Sequence, residues 1–209
     1  MSGAVTRTGR VLRCVVSDAA QHGSLDFAAV CEVTAALRAL EPDIGAVLLA
    51  GEGPHFCTGA DVGALAAPGA GGADPRAAVR ELAGELHDLV RALVEVPVPV
   101  VAAVRGWAAG AGMSLVLAAD IAVAGASMGL VATVVPDDQV DAEALGLAQR
   151  LADGPTRALS RTKWLVRTDG DLDTHLDAEA DAIAESVADA EGREGVAAFR
   201  ERRAPRFVE

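Results

Sequence analysis

Short apolar runs alternating with amphipathic stretches predict an α/β fold built on a mainly parallel sheet for this 209-residue chain. Three observations carry the prediction. Residues 11–16, 44–50 and 98–104 are rich in Val, Leu and Ala and too short for helices, so they read as buried strands. Between the first two, Phe27, Val30, Val33, Leu37 and Leu40 recur at helical spacing, which predicts a helix over 26–40 ended by Glu41-Pro42-Asp43. Strand, helix, strand in that order implies a right-handed crossover and parallel pairing.

The remaining elements follow in chain order. Glycine and proline make 51–61 a loop, and the small residues of 66–74 suit an exposed, flexible stretch. Val79, Leu82, Leu86, Leu89, Val90 and Leu93 predict a helix over 76–94. Pro97 and Pro99 open the strand 98–104, which ends at Arg105-Gly106. Gly110-Ala111-Gly112 leads into a buried helix at 113–119, followed by a strand at 121–124. The last third reads as helices over 141–151, 156–167, 172–189 and 193–202, joined by Gly, Pro and Asp breaks. The chain thus divides into a core over 1–135 and a helical region over 136–209, charged on one side and suited to packing against a neighbouring subunit.

Composition narrows the function. The net charge of −12 argues against nucleic acid, since phosphate binding needs a positive surface. Cys14, Cys31 and Cys57 form an odd, widely spaced set with no zinc spacing, so reduced thiols in the cytoplasm and no metal are expected. The N-terminal residues lack the apolar stretch of a secretory signal. Across 96–135 the apolar run is interrupted by Pro97, Pro99, Arg105 and Asp120, so a buried core is expected rather than a membrane span, which takes about 18 uncharged residues.

Two loops stand out for chemistry: Phe56-Cys57-Thr58-Gly59-Ala60-Asp61 and Gly106-Trp107-Ala108-Ala109-Gly110-Ala111-Gly112. Each follows a buried strand, and small side chains leave backbone N–H groups uncovered. A helix starting at the second adds partial positive charge. Two such groups converging on one point would make an oxyanion hole. Taken singly, either loop also fits a tight turn in an alanine-rich core. His55 and Cys57 flank the first loop, but a thiol–imidazole pair needs an electropositive setting that surface placement does not supply.

In this order the segments 54–61, 97–112 and 115–124 closely resemble the two signature blocks of the crotonase superfamily, the enoyl-CoA hydratases and isomerases. Segments 129–136, Gly154-Pro155 with Thr162-Lys163, and 194–207 resemble its C-terminal blocks. The resemblance implies a crotonase-like ββα spiral core with a helical C-terminal oligomerisation region, assembled as a homotrimer or dimer of trimers. It implies an acyl-CoA thioester as ligand in fatty acid metabolism, CoA arriving with the substrate and no separate cofactor. Carried over by residue, it places the Ala60 and Ala111 N–H groups in an oxyanion hole that stabilises an enolate, and Gly59, Asp61, Gly110 and Gly112 around the substrate. Phe199 and Arg202 match positions that reach the CoA of an adjacent subunit; helix packing and a solvated face are the alternatives. Asp61 and Asp120 match structural aspartates.

The chain also departs from that pattern. Hydratases carry a glutamate two residues after the last glycine of the second block, where this chain has Ser114, and a hydroxyl cannot exchange a proton as a tuned carboxylate does. The later family region that holds the remaining carboxylate is absent: Ala126-Ser127 passes straight to Met128-Gly129-Leu130-Val131. Three readings follow. The chain is a hydratase or isomerase whose acid–base group lies elsewhere, a non-catalytic acyl-CoA binder or partner subunit, or a chain lacking a segment that the natural protein has.

Overall fold

A computed structural model of the chain describes residues 4–60, 75–125, 132–168 and 172–207. The expected strand at 98–104 is β6, Val100–Val104, at the centre of a six-stranded sheet ordered β1-β2-β5-β6-β7-β8. Its neighbours β5 (Ala46–Ala50) and β7 (Ile121–Ala124) run parallel to it, and β2 (Val11–Val15) runs parallel to β5. β8 (Thr133–Val134) adds a parallel edge, and β1 (Val5–Thr8) an antiparallel one. Neither edge is legible in the sequence, because exposed strands lack the apolar runs of the centre. Every residue of β5 and β6 is buried, as both faces of the sheet are covered.

One face packs under α1 (Phe27–Arg38), α2 (Pro75–Glu95) and α3 (Ala111–Ala118). α1 starts where the sequence suggested, because the Asp26 carboxylate accepts from the N–H groups of Ala28 and Ala29. It buries Val30, Val33 and Leu37 against Cys14, Val47 and Leu49 of the sheet. The opposite face takes α4 (Val140–Ala152), whose Val140, Ala144, Ala148 and Ala152 lie on Leu48, Val101, Ala103 and Val123. Alanine at every fourth position lets this helix approach the sheet closely.

The last helices are α5 (Thr156–Arg167), α6 (Leu172–Ala188) and α7 (Ala190–Glu201). α5 buries no residue of its own; charge holds it down. Lys163 Nζ donates to Leu93 O at 3.0 Å and Val98 O at 3.1 Å, and pairs with Asp120 at 3.1 Å. Arg167 bonds Asp120 at 2.9 Å and Ala118 O at 3.1 Å. Asp120 also accepts from Val100 N–H at 2.8 Å, so one carboxylate ties α5 to the start of β6. Desolvation pulls the Lys163 ammonium below its ordinary value, and Asp120 opposes that. Among the described residues no helix is long and apolar enough to cross a membrane, and no His/Cys/Asp/Glu cluster could hold a metal ion.

Candidate functional site

The loops after β5 and β6 extend the parallel pairing beyond the strand ends. Phe56 N–H donates to Arg105 O at 2.8 Å, Cys57 N–H to Trp107 O at 3.1 Å, and Ala109 N–H to Cys57 O at 2.9 Å. Cys57 and Ala108 form a parallel bridge. The buried Phe56 and Cys57 anchor this ladder in the core. Its effect is to carry Gly59 and Gly110 into contact, with a Cβ built on Gly110 falling 3.7 Å from the Gly59 Cα. Both glycines sit at positive φ, 99° and 53°, which other residues rarely adopt.

Peptide planarity then fixes where two N–H groups point. Gly59 O accepts from Leu25 N–H at 2.8 Å, so the other edge of that peptide turns the Ala60 N–H away from β4 (Ser24–Leu25). Gly110 O accepts from Met113 N–H at 3.1 Å and Ser114 N–H at 3.3 Å along α3. The Ala111 N–H, at the first helical residue, therefore points out of the helix start, at its partly positive end. Among the described residues neither N–H donates to a protein acceptor. A Cβ on Gly112 would lie 2.3 Å from Cys57 O, so only glycine lets α3 start this close to the first loop.

Of the residues singled out from sequence, Gly59, Ala60, Gly110, Ala111 and Gly112 come together here. Asp61 lies outside the described residues. Ser114 is exposed on α3, one turn beyond Ala111 on the same side of the helix. Phe199 and Arg202 lie at the end of α7, whose main packing partners are α5 and α6, and Phe199 is 84% exposed. Cys57 is buried, not at the surface the sequence suggested, and among the described residues no hydrogen bond joins it to His55. Burial pushes the Cys57 thiol above its ordinary value, against a weaker opposing bond from Gly59, and His55 Nδ1 accepts from Trp107 N–H at 3.4 Å.

Two features escaped sequence reading. β3 (Ser17–Asp18) and β4 form a small hairpin that clasps the first loop; two-residue strands leave no periodic signal. Among the described residues, the carboxylate paired with either loop is Asp141, 3.2 Å from Arg105 Nε. It belongs to α4, on the sheet face opposite α3.

A family model described as Enoyl-CoA hydratase/isomerase matches residues 8–128 and 125–209. The chain belongs to the enoyl-CoA hydratase/isomerase family. It is 31% identical over 227 residues to the "Probable enoyl-CoA hydratase" of Rhodobacter capsulatus, covering 85% of this chain and 86% of the relative. It is 28% identical over 228 residues to the 1,2-epoxyphenylacetyl-CoA isomerase of Escherichia coli, covering 82% and 85%. The crystal structure of an enoyl-CoA hydratase from Polaromonas sp. JS666 superposes with a TM-score of 0.85 at 27% identity, covering 98% of each chain. The expected crotonase-like α/β fold is thus present.

For an enoyl-CoA hydratase/isomerase family member the interruption is the informative departure. The family model meets the chain in two pieces that join at 125–128, where the sequence shows its omission. Both relatives align over more positions than this chain has, so each carries residues without a counterpart here. β7 and β8 are parallel with only residues 125–132 between them, shorter than the dozen or so residues a crossover takes.

Proposed function

We propose that this family member binds an acyl-CoA thioester, with the Ala60 and Ala111 N–H groups as donors to the thioester oxygen. The observation that carries the reading is the pair of locked peptide planes: both carbonyls are engaged inside the protein, and both N–H groups are left without acceptors among the described residues. Two donors aimed at one oxygen favour the charge that develops there when an enolate forms. The acid–base carboxylates that the resemblance calls for are not in the sequence. Ser114 replaces the glutamate that the resemblance calls for, and the later carboxylate-bearing region is missing from the sequence. The reading is therefore a binder that polarises its ligand's carbonyl without hydrating the enoyl group.

Assembly forms a second element of the proposal. Trp164, Val166, Ile183, Val196 and Phe199 are all at least half exposed on α5–α7, and a groove of about 1010 Å³ opens between α5, α6 and the end of α2. Such apolar exposure favours self-association, for which the resemblance implies a homotrimer or dimer of trimers with Phe199 and Arg202 reaching a neighbour's CoA.

Calorimetry with an acyl-CoA and with its S-alkyl thioether, which lacks the carbonyl, tests the site. Loss of enoyl-thioester absorbance from crotonyl-CoA tests turnover. The expected outcome is tighter binding of the thioester and no hydration above buffer. Failure of both acyl-CoA and free CoA to bind refutes the proposal, and steady hydration refutes its non-catalytic part.

A further inference from the structure

Besides the bonds to the second loop and an exposed one from Thr58 Oγ1 to His22 O at 3.3 Å, three bonds tie the turn that carries Ala60 to the β3–β4 hairpin. Two are main chain: Thr58 N–H donates to Gly23 O and Leu25 N–H to Gly59 O, each at 2.8 Å. The third is a side chain. Ser17 Oγ donates to Phe56 O at 2.7 Å, and Ser17 is only 3% exposed. A polar group this deeply buried normally has a partner, and here the partner belongs to the functional loop.

The Phe56–Cys57 peptide is thereby fixed at both edges. Its carbonyl receives Ser17, and its N–H donates to Trp107 O at 3.1 Å in the second loop. Without the hydroxyl, the carbonyl is left buried and unpaired, and the plane gains reason to rotate towards another donor. Rotation would draw Cys57 N–H off Trp107 O, and that bond is one of those holding the two loops in register. Ala60 lies three residues further along, beyond the contact between Gly59 and Gly110.

We propose that Ser17 is a positioning residue, which acts through the Phe56 carbonyl to keep the Ala60 N–H aimed at the same point as the Ala111 N–H. The proposal rests on the reading of the two N–H groups as thioester donors. Its role is specific to carbonyl recognition, so ligands without a carbonyl should be indifferent to it.

The test uses the whole chain with two probes. One is a dimethylaminocinnamoyl-CoA thioester, whose absorbance moves to the red when its carbonyl is polarised; the other is an S-alkyl CoA thioether. Ser17→Ala is expected to bind the thioether within about twofold of wild type, to lose about tenfold of the preference for the thioester, and to shrink the red shift. Ser17→Thr, which keeps the hydroxyl, is expected to restore both. An unchanged red shift in Ser17→Ala, or an equal loss for both probes, overturns the positioning role while leaving the site reading intact. Absence of any red shift and of any thioester preference in wild type removes the site reading itself, and the proposal with it. Should Ser17→Ala not fold, Ser17→Cys, nearly isosteric with a weaker donor, is judged by the same criteria.

Discussion

Replacing Ala111 with proline removes one atom group of interest, the N–H, with little else disturbed. Ala111 is the first residue of α3, where proline's fixed φ suits the helix and its missing donor costs no intrahelical bond. The residue before it is Gly110, which has no Cβ for the pyrrolidine ring to strike. Folding stability should therefore move by no more than about 0.5 kcal/mol, the range of substitutions that break no buried feature. Binding is a different matter. A neutral hydrogen bond is worth a net 0.5–1.5 kcal/mol, roughly, so thioester affinity should fall about two- to twelvefold. The thioether should bind as it does to wild type, and Ala111→Gly, which keeps the N–H, should resemble wild type with both ligands. Titration calorimetry reads the affinities and urea unfolding confirms the fold. Equal thioester affinity in Ala111→Pro and Ala111→Gly would refute the reasoning, because the donor would then be idle.

Two further outcomes test the scaffold. Asp120→Ala should lower stability by about 3 kcal/mol, read from the urea midpoint, because it strands the buried Lys163 ammonium and the Val100 N–H together; Asp120→Asn, which keeps an acceptor for Val100, should lose less. Glu194 accepts from Arg203 and from Arg206 N–H, which bring its carboxyl from 4.5 down to about 2. The unfolded chain thus takes up the proton first, so this contribution is complete above about pH 4.5 and is lost as pH falls towards 2. The stability difference between wild type and Glu194→Gln should stay constant above that window and narrow within it; a difference flat across pH 2–4.5 would contradict the assignment.

The elements that sequence revealed are those whose burial leaves a pattern. β5 and β6 are covered on both faces and read as unbroken apolar runs; α1 is covered on one face and reads as a 3.6-residue repeat. β8, both of whose residues are exposed, has no such pattern, and β3 and β4 are too short to show one. The two glycine-bearing turns were legible because close backbone approach excludes side chains, as the Cβ that Gly112 cannot carry illustrates. What holds those turns was not legible. Ser17 is one serine at the end of an apolar strand, and only the folded chain shows that its hydroxyl meets Phe56 O, 39 residues away. Asp120 and Lys163 are likewise ordinary charges until α5 lays one upon the other.

Physical separability makes a family member without its later carboxylates coherent as a binder. The bonds that orient the Ala60 and Ala111 N–H groups come from Ser17, Gly23, Leu25, the 56–59 loop, Arg105 to Ala109 and the first turn of α3. All of these residues precede position 126, so the omission removes none of the donors and none of their supports. β8 still pairs with β7, through Ala132 N–H to Ala122 O at 2.9 Å and Val135 N–H to Ala124 O at 3.0 Å, and α4 still covers the second face of the sheet. Of the two acid positions that the resemblance calls for, one falls on α3 at Ser114 and the other in the omitted region, whereas the proposed donors are built into the sheet's own hydrogen-bond ladder. On the proposed reading, a serine at position 114 and the omission after Ser127 would remove the acid positions while the described sheet and its two loops keep their hydrogen bonds.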